Sequence, residues 1–258
     1  MSERSKGHCL YLYAIVDAGE ALPPQPAGPY TELGLNGGGV YGLTEGPVAG
    51  IVSDVTSGKF RPQRRHLAAH HEVLKTLFRD GRTVLPMSFG IVAEDRAAFR
   101  RLVALNEEVF CEELQRVRGK VEMGLRVRWE VPNVFQYVVD THPELRQLRE
   151  KLFRGGREPT HDEKIALGRR FEQFLEDDRA RHTRTVREVL DPVCSEIRQN
   201  DPGKENEVIN LACLVDRGAE DAYETAVFEA ARRFDDNYSF DYSGPWPPHN
   251  FVDADLEI

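Results

Sequence analysis

The side chains best suited to chemistry in this chain are two adjacent histidines, His70 and His71, followed by the carboxylate Glu72. A zinc-binding helix places two histidines four residues apart, so that both rings share one face. Adjacent histidines point in different directions around a helix, and Glu72 does not complete the motif. They fall at offsets 3 and 4 of an apolar stripe formed by Leu67, Leu74, Leu77 and Phe78, on or beside its buried face. Their chemistry is that of packed or interface histidines, with a pH-sensitive contact as the alternative. A glycine run, Asn36-Gly37-Gly38-Gly39, has the composition of a phosphate cradle. Such a cradle must open a helix, and here the run leads into the strand-like Val40-Tyr41-Gly42-Leu43 with no Lys or Ser/Thr at the required spacing. Ser88 lies in Met87-Ser88-Phe89-Gly90, which is not a nucleophile elbow. Cys9, Cys111, Cys194 and Cys213 are widely spaced and read as free thiols of a reducing compartment. The carboxylates cluster on helical surfaces, where solvation accounts for them. The sequence therefore predicts no enzyme, no cofactor and no metal centre.

Charge and hydropathy narrow the partners. A formal charge of −9 disfavours nucleic acid and anionic membrane surfaces. No apolar run approaches the roughly 20 residues of a membrane span. Met1 to Gly7 is polar and leads straight into a strand-like run, with no signal-peptide pattern. These features predict a cytoplasmic protein.

The elements that position these residues follow from periodicity. Cys9 to Val16 reads as a buried strand, residues 17–38 as loop, and Val40–Leu43 with Val48–Val55 as a hairpin about Glu45-Gly46-Pro47. A helix is predicted from Arg64 to Arg79, a short strand at Thr83–Pro86 and a helix from Asp95 to Val117 whose stripe includes Val109 and is interrupted by Asn106. The order β-β-β-α-β-α reads as a modified ferredoxin-like antiparallel sheet with helices. A second series opens with Val121, Met123, Leu125, Val127 and Trp129 alternating with polar residues, the clearest strand of the chain. Asn133 to Phe153 reads as a short helix and loop, broken by Gly155-Gly156. A long helical pattern including Ile165 and Ile197 runs from His161 to Gln199, kinked or split at Asp191-Pro192. Val208–Val215 reads as a central strand. A helix follows with Tyr223, Ala226, Val227, Ala230 and Phe234 on one face, then a strand from Tyr238 to Tyr242. The fold class predicted is α+β in two domains, 1–118 and 119–242, the second a smaller sheet with a long helix, plus a tail at 243–258 whose acidic end frays.

That tail, Tyr242-Ser243-Gly244-Pro245-Trp246-Pro247-Pro248-His249-Asn250-Phe251-Val252, is stiffened by three prolines and carries large aromatic rings. It is read as a strap over its own domain or as a rigid arm for a partner. The expected arrangement has Trp246 against the protein's own surface, bracketed by Tyr242 and Phe251, at the junction of the domains. The segment resembles the C-terminal signature of the gas vesicle protein F and L family. Leu10–Val16, Val48–Val55, His66–Leu77 and Leu85-Pro86-Met87-Ser88-Phe89-Gly90 fit the same family, so the resemblance covers nearly the whole chain. It implies an accessory protein of gas vesicle assembly. It also implies binding of the hydrophobic shell protein or other accessory proteins, as a chaperone or nucleation component associated with gas vesicles. The site residues it points to, for partner binding or as a domain clasp, are Tyr242, Gly244, Pro245, Trp246, Pro247, Pro248, Asn250 and Phe251. The alternative is a ferredoxin-like small-molecule or nucleotide sensor.

Overall fold

The computed structural model describes residues 9–56, 58–154 and 158–252. The Gly155-Gly156 break, the leading residues 1–7 and the acidic end at 253–258 lie outside the described residues. The chain is α+β, with one five-stranded and one four-stranded sheet and six α-helices among the described residues. It divides into two compact units: residues 1–122 with 245–258, and residues 123–244.

In the first unit, β1 (Cys9–Asp17) is the centre of the sheet because its residues are apolar on both faces. It pairs antiparallel with β3 (Val48–Val55), from Cys9↔Val55 to Asp17↔Val48 with a register shift between Leu12 and Ala14. β2 (Tyr41–Glu45) joins β3 through a turn at Gly46, whose φ of 60° suits glycine. The other edge carries β4 (Leu85–Pro86) and an unforeseen β5 (Val92–Ala93), both paired to β1. Pro86 sits on this edge strand, where its missing N–H costs no ladder bond. Helices α1 (Arg64–Arg79) and α2 (Arg96–Val117) complete the unit. α2 packs so closely that a Cβ at Gly50 would stand 2.5 Å from the Phe99 ring. On α2 the expected stripe is corrected at two positions: Asn106 is buried and its amide donates to the Leu102 carbonyl at 2.7 Å, whereas Val109 is exposed. Four residues of separation let an amide reach back one turn, so a polar residue can occupy the inner face.

The core of this unit contains a polar relay. His70 Nε2 faces the Met87 carbonyl at 3.1 Å and must carry the hydrogen, since a carbonyl only accepts. Nδ1 is then an acceptor for the Tyr11 hydroxyl at 2.9 Å, and that hydroxyl accepts from the Gly90 N–H at 3.0 Å. The Tyr13 hydroxyl bonds Ser53 at 2.8 Å and accepts from the Leu35 N–H at 2.8 Å. His70 is thus the packed histidine expected, and it ties α1 to β1 and to the 87–90 loop.

The second unit is built on the order β7-β8-β6-β9. β6 (Lys120–Trp129) buries Val121, Met123, Leu125, Val127 and Trp129, the alternate set the sequence marked. β8 (Glu207–Asp216) is nearly all buried, as its nearly continuous apolar run requires. β9 (Tyr238–Trp246) runs antiparallel to β6, with Glu130 N–H donating to Asn237 O at 2.8 Å and Gly124 opposite Ser243. Three elements are corrected. Asn133–Phe153 forms two helices, α3 (Val134–Thr141) and α4 (Pro143–Phe153), because Pro143 at a first helical position starts a new helix. α5 (His161–Leu190) is capped by a reciprocal Thr160–Glu163 box and stops before Pro192. Residues Glu196–Gln199 form β7, with Ile197 opposite Cys213. Pro192 has no N–H to continue the helix, and the amides of Val193 and Cys194 both close on Leu190 O. At the start of α5, Ile165 is exposed and Leu167 is buried instead. α6 (Glu220–Ala231) ends before Phe234.

Burial, with His71 beside it, holds the His70 pKa down from 6.5 to about 4. The unfolded chain therefore takes up this proton first as pH falls. The stability contributed by neutral His70 is intact above about 6.5 and is lost as pH drops toward about 4, up to about 3 kcal/mol. In His70→Gln, denaturation measured from pH 7 to 4 is expected to show a smaller loss. Trp129→Ala is expected to cost about 3–5 kcal/mol in chemical denaturation, as for a large buried aromatic.

Candidate functional site

The site residues named from the sequence are distributed over the end of β9 and the segment behind it. Gly244, the last residue of the second unit, has φ of 124°, a backbone that a side chain would strain. Tyr242 belongs to the second unit. Its hydroxyl donates to Glu224, its ring meets Phe228 edge-on at 6.4 Å, and it is 39% exposed.

Residues 245–252 belong to the first unit. Pro247 and Pro248 are buried, and Phe251 is fully buried. A short turn forms there, with His249 N–H on Pro247 O at 2.8 Å and Phe251 N–H on Pro248 O at 3.2 Å. That turn aims two donors of Asn250 at one carboxylate: its N–H reaches Glu122 Oε2 at 2.8 Å and its side-chain Nδ2 reaches Oε1 at 2.6 Å. Glu122 is only 7% exposed, so an ionised carboxylate there is tolerable because both oxygens are met. Arg116, which also bonds Glu113 at 2.6 Å, donates to the Phe251 carbonyl. The His249 ring stacks on His71 at 5.7 Å and 21°. Trp246 remains 39% exposed, with the Lys75 ammonium 5.7 Å from its ring centroid.

The first unit thus brings Pro247, Pro248, Asn250 and Phe251 together on α1, α2 and the start of β6, and holds Trp246 beside them half-open. The ring that anchors is Phe251. Sequence reasoning did not find the receptors. Glu122 sits among the polar alternates of β6 and carries no mark that separates it from solvent-facing neighbours. Arg116 and Lys75 look like any charged helical residue. His71, placed next to the buried stripe, was the one available signal.

Such a strap is a device for fixing a backbone segment and presenting a ring, and the fold around it is that of a two-unit α+β protein with one buried carboxylate, Glu122, engaged in holding its own tail. The comparisons place it. The model of the family described as gas vesicle synthesis protein GvpL/GvpF matches residues 9–253. Gas vesicle protein F of a Streptomyces strain is 30% identical over 94% of this chain and 99% of its own length. The crystal structure of GvpF from Anabaena sp. matches with a TM-score of 0.79 at 25% identity, covering 96% of this chain and 99% of that one. The chain belongs to the GvpL/GvpF family and has a role in gas vesicle formation.

Phe251→Ala removes the buried anchor and is expected to free the strap. Hydrogen–deuterium exchange at the His249 and Asn250 amides, both bonded in the turn, should then be faster than in the parent. Asn250→Ala should act in the same direction, because it leaves Glu122 without its side-chain amide donor.

Proposed function

We propose that this chain is an accessory protein of gas vesicle assembly that binds the hydrophobic shell protein, other accessory proteins, or both. It acts as a chaperone or nucleation component, in the cytoplasm and in association with vesicles. The observation that carries the reading is the family match over residues 9–253, strap included. The physical need is plain: shell subunits expose apolar surface before they polymerise, and such surface aggregates. A chain with charge −9 keeps a bound apolar subunit dispersed. Among the described residues no helix is long and apolar enough to cross a membrane, which supports a reading without membrane partners. We read the first unit as a modified ferredoxin-like fold from its β1-β2-β3-α1-β4-β5-α2 order.

The partner contact is assigned to the strap segment, Tyr242 to Phe251. Its prolines hold Trp246 on a stiff backbone, so little entropy is lost when the exposed part of that ring is covered. The test is to express the shell protein with and without this chain and measure what stays in the supernatant. More soluble shell protein is expected with the chain present, and less with Trp246→Ala or with a truncation after Ser243. Unchanged solubility, partner binding and vesicle yield in both variants would remove the strap from the proposal.

A further inference from the structure

The sheet of the second unit has two edges, and they are treated differently. At one edge, β7 is four residues long and Arg187 of α5 donates to its Ile197 carbonyl at 3.4 Å. A short strand with a cation across its backbone does not invite another strand. The opposite edge is β9, which has no such cover among the described residues.

The pairing of β9 with β6 fixes which groups face outward. Glu130 N–H donates to Asn237 O across the strands, while Asn237 N–H turns to Asp235, and Gly124 lies opposite Ser243 in the same register. Alternation then turns Ser239, Asp241 and Ser243 toward β6 and leaves the main-chain groups of Tyr238, Phe240 and Tyr242 on the open side. Tyr238 N–H is partly engaged by Asp235 O at 3.3 Å. Phe240 and Tyr242 carry the outward donors. The side chains of these three residues form an aromatic ladder with Phe234 and Phe228, and Phe228 is 55% exposed. No lysine interrupts this edge, and proline enters only at Pro245, beyond the second unit.

We propose that the β9 edge pairs antiparallel with the β9 edge of a second copy of this chain, about a two-fold axis at Phe240. The residues are self-complementary in that register. Phe240 faces Phe240 of the other copy, and Tyr238 faces Tyr242, giving three aromatic cross-strand pairs. Ser239 faces Asp241, so no like charges oppose. An axis one residue further on would set Asp241 against Asp241, which is destabilising. The pairing is isologous, as closed dimers require, and it covers the outward main-chain groups of Tyr238, Phe240 and Tyr242. This interaction goes beyond the proposed binding of shell protein, and its test needs no partner.

The full chain is examined by light scattering on a size-exclusion column from micromolar concentration upward. A mass of twice 29.3 kDa is expected. Phe240→Pro removes an outward donor without touching the ladder to β6, and it should halve the mass with an unchanged circular dichroism spectrum. Should that variant unfold, register is read by crosslinking instead. The double variant Ser239→Cys with Asp241→Cys should give a disulfide-linked dimer under mild oxidation, and Ser239→Cys alone should not. A wild-type chain that stays monomeric at every concentration overturns the proposal. So does a dimer that survives Phe240→Pro intact, or one in which the double variant fails to crosslink.

Discussion

A buried carboxylate has to be met by donors, and at Glu122 two of those donors come from a residue 128 positions later in the chain. Everything distinctive about the C-terminal segment depends on this requirement. Two prolines fix the backbone ahead of Asn250, the turn presents its N–H and its amide together, and Phe251 fills an apolar site one residue further on. Without the turn the carboxylate would lose both bonds at once, and without the carboxylate the turn would have no fixed register. Arg116 adds a charged donor to the Phe251 carbonyl, so the segment is held at side chain and backbone alike.

The same logic runs through the core of the first unit. Tyrosines at positions 11 and 13 lie on a strand with no solvent face, which leaves their hydroxyls to be satisfied inside. Tyr11 is answered by His70 and Gly90, and Tyr13 by Ser53 and Leu35. Each bond crosses between elements, so the network sets where α1 and the flanking loops sit against the sheet. α1 in turn carries His71 and Lys75, against which His249 and Trp246 are placed. A polar core and an aromatic strap are therefore parts of one arrangement.

The second unit shows how a sheet handles its margins. β7 is short and has an arginine across it, whereas β9 is long and aromatic and ends the strand order. Strands with that character persist in natural proteins when something pairs with them.

The elements with a strong period were legible before any coordinates. β1 is apolar without interruption and β8 is broken only by Asn210, β6 alternates cleanly, and α1 carries a stripe, so local hydrophobic pattern dictated their type and buried face. The tail was legible as stiff and aromatic because proline geometry is a local property. Where pattern and chain breaks competed, the pattern misled: Ile197 keeps the helical period of α5, yet Pro192 removes the amide needed to continue, and β8 offers Ile197 a ladder partner in Cys213. Asn106 and Val109 exchanged their expected roles because an amide reaching one turn back satisfies itself inside a helix. What only the tertiary structure decided was the identity of the anchor and its receptor. Phe251, Glu122 and Arg116 meet through contacts more than a hundred residues apart in sequence. No local signal can distinguish a carboxylate that faces water from one that faces two incoming donors, because the difference lies wholly in what the rest of the chain brings to it.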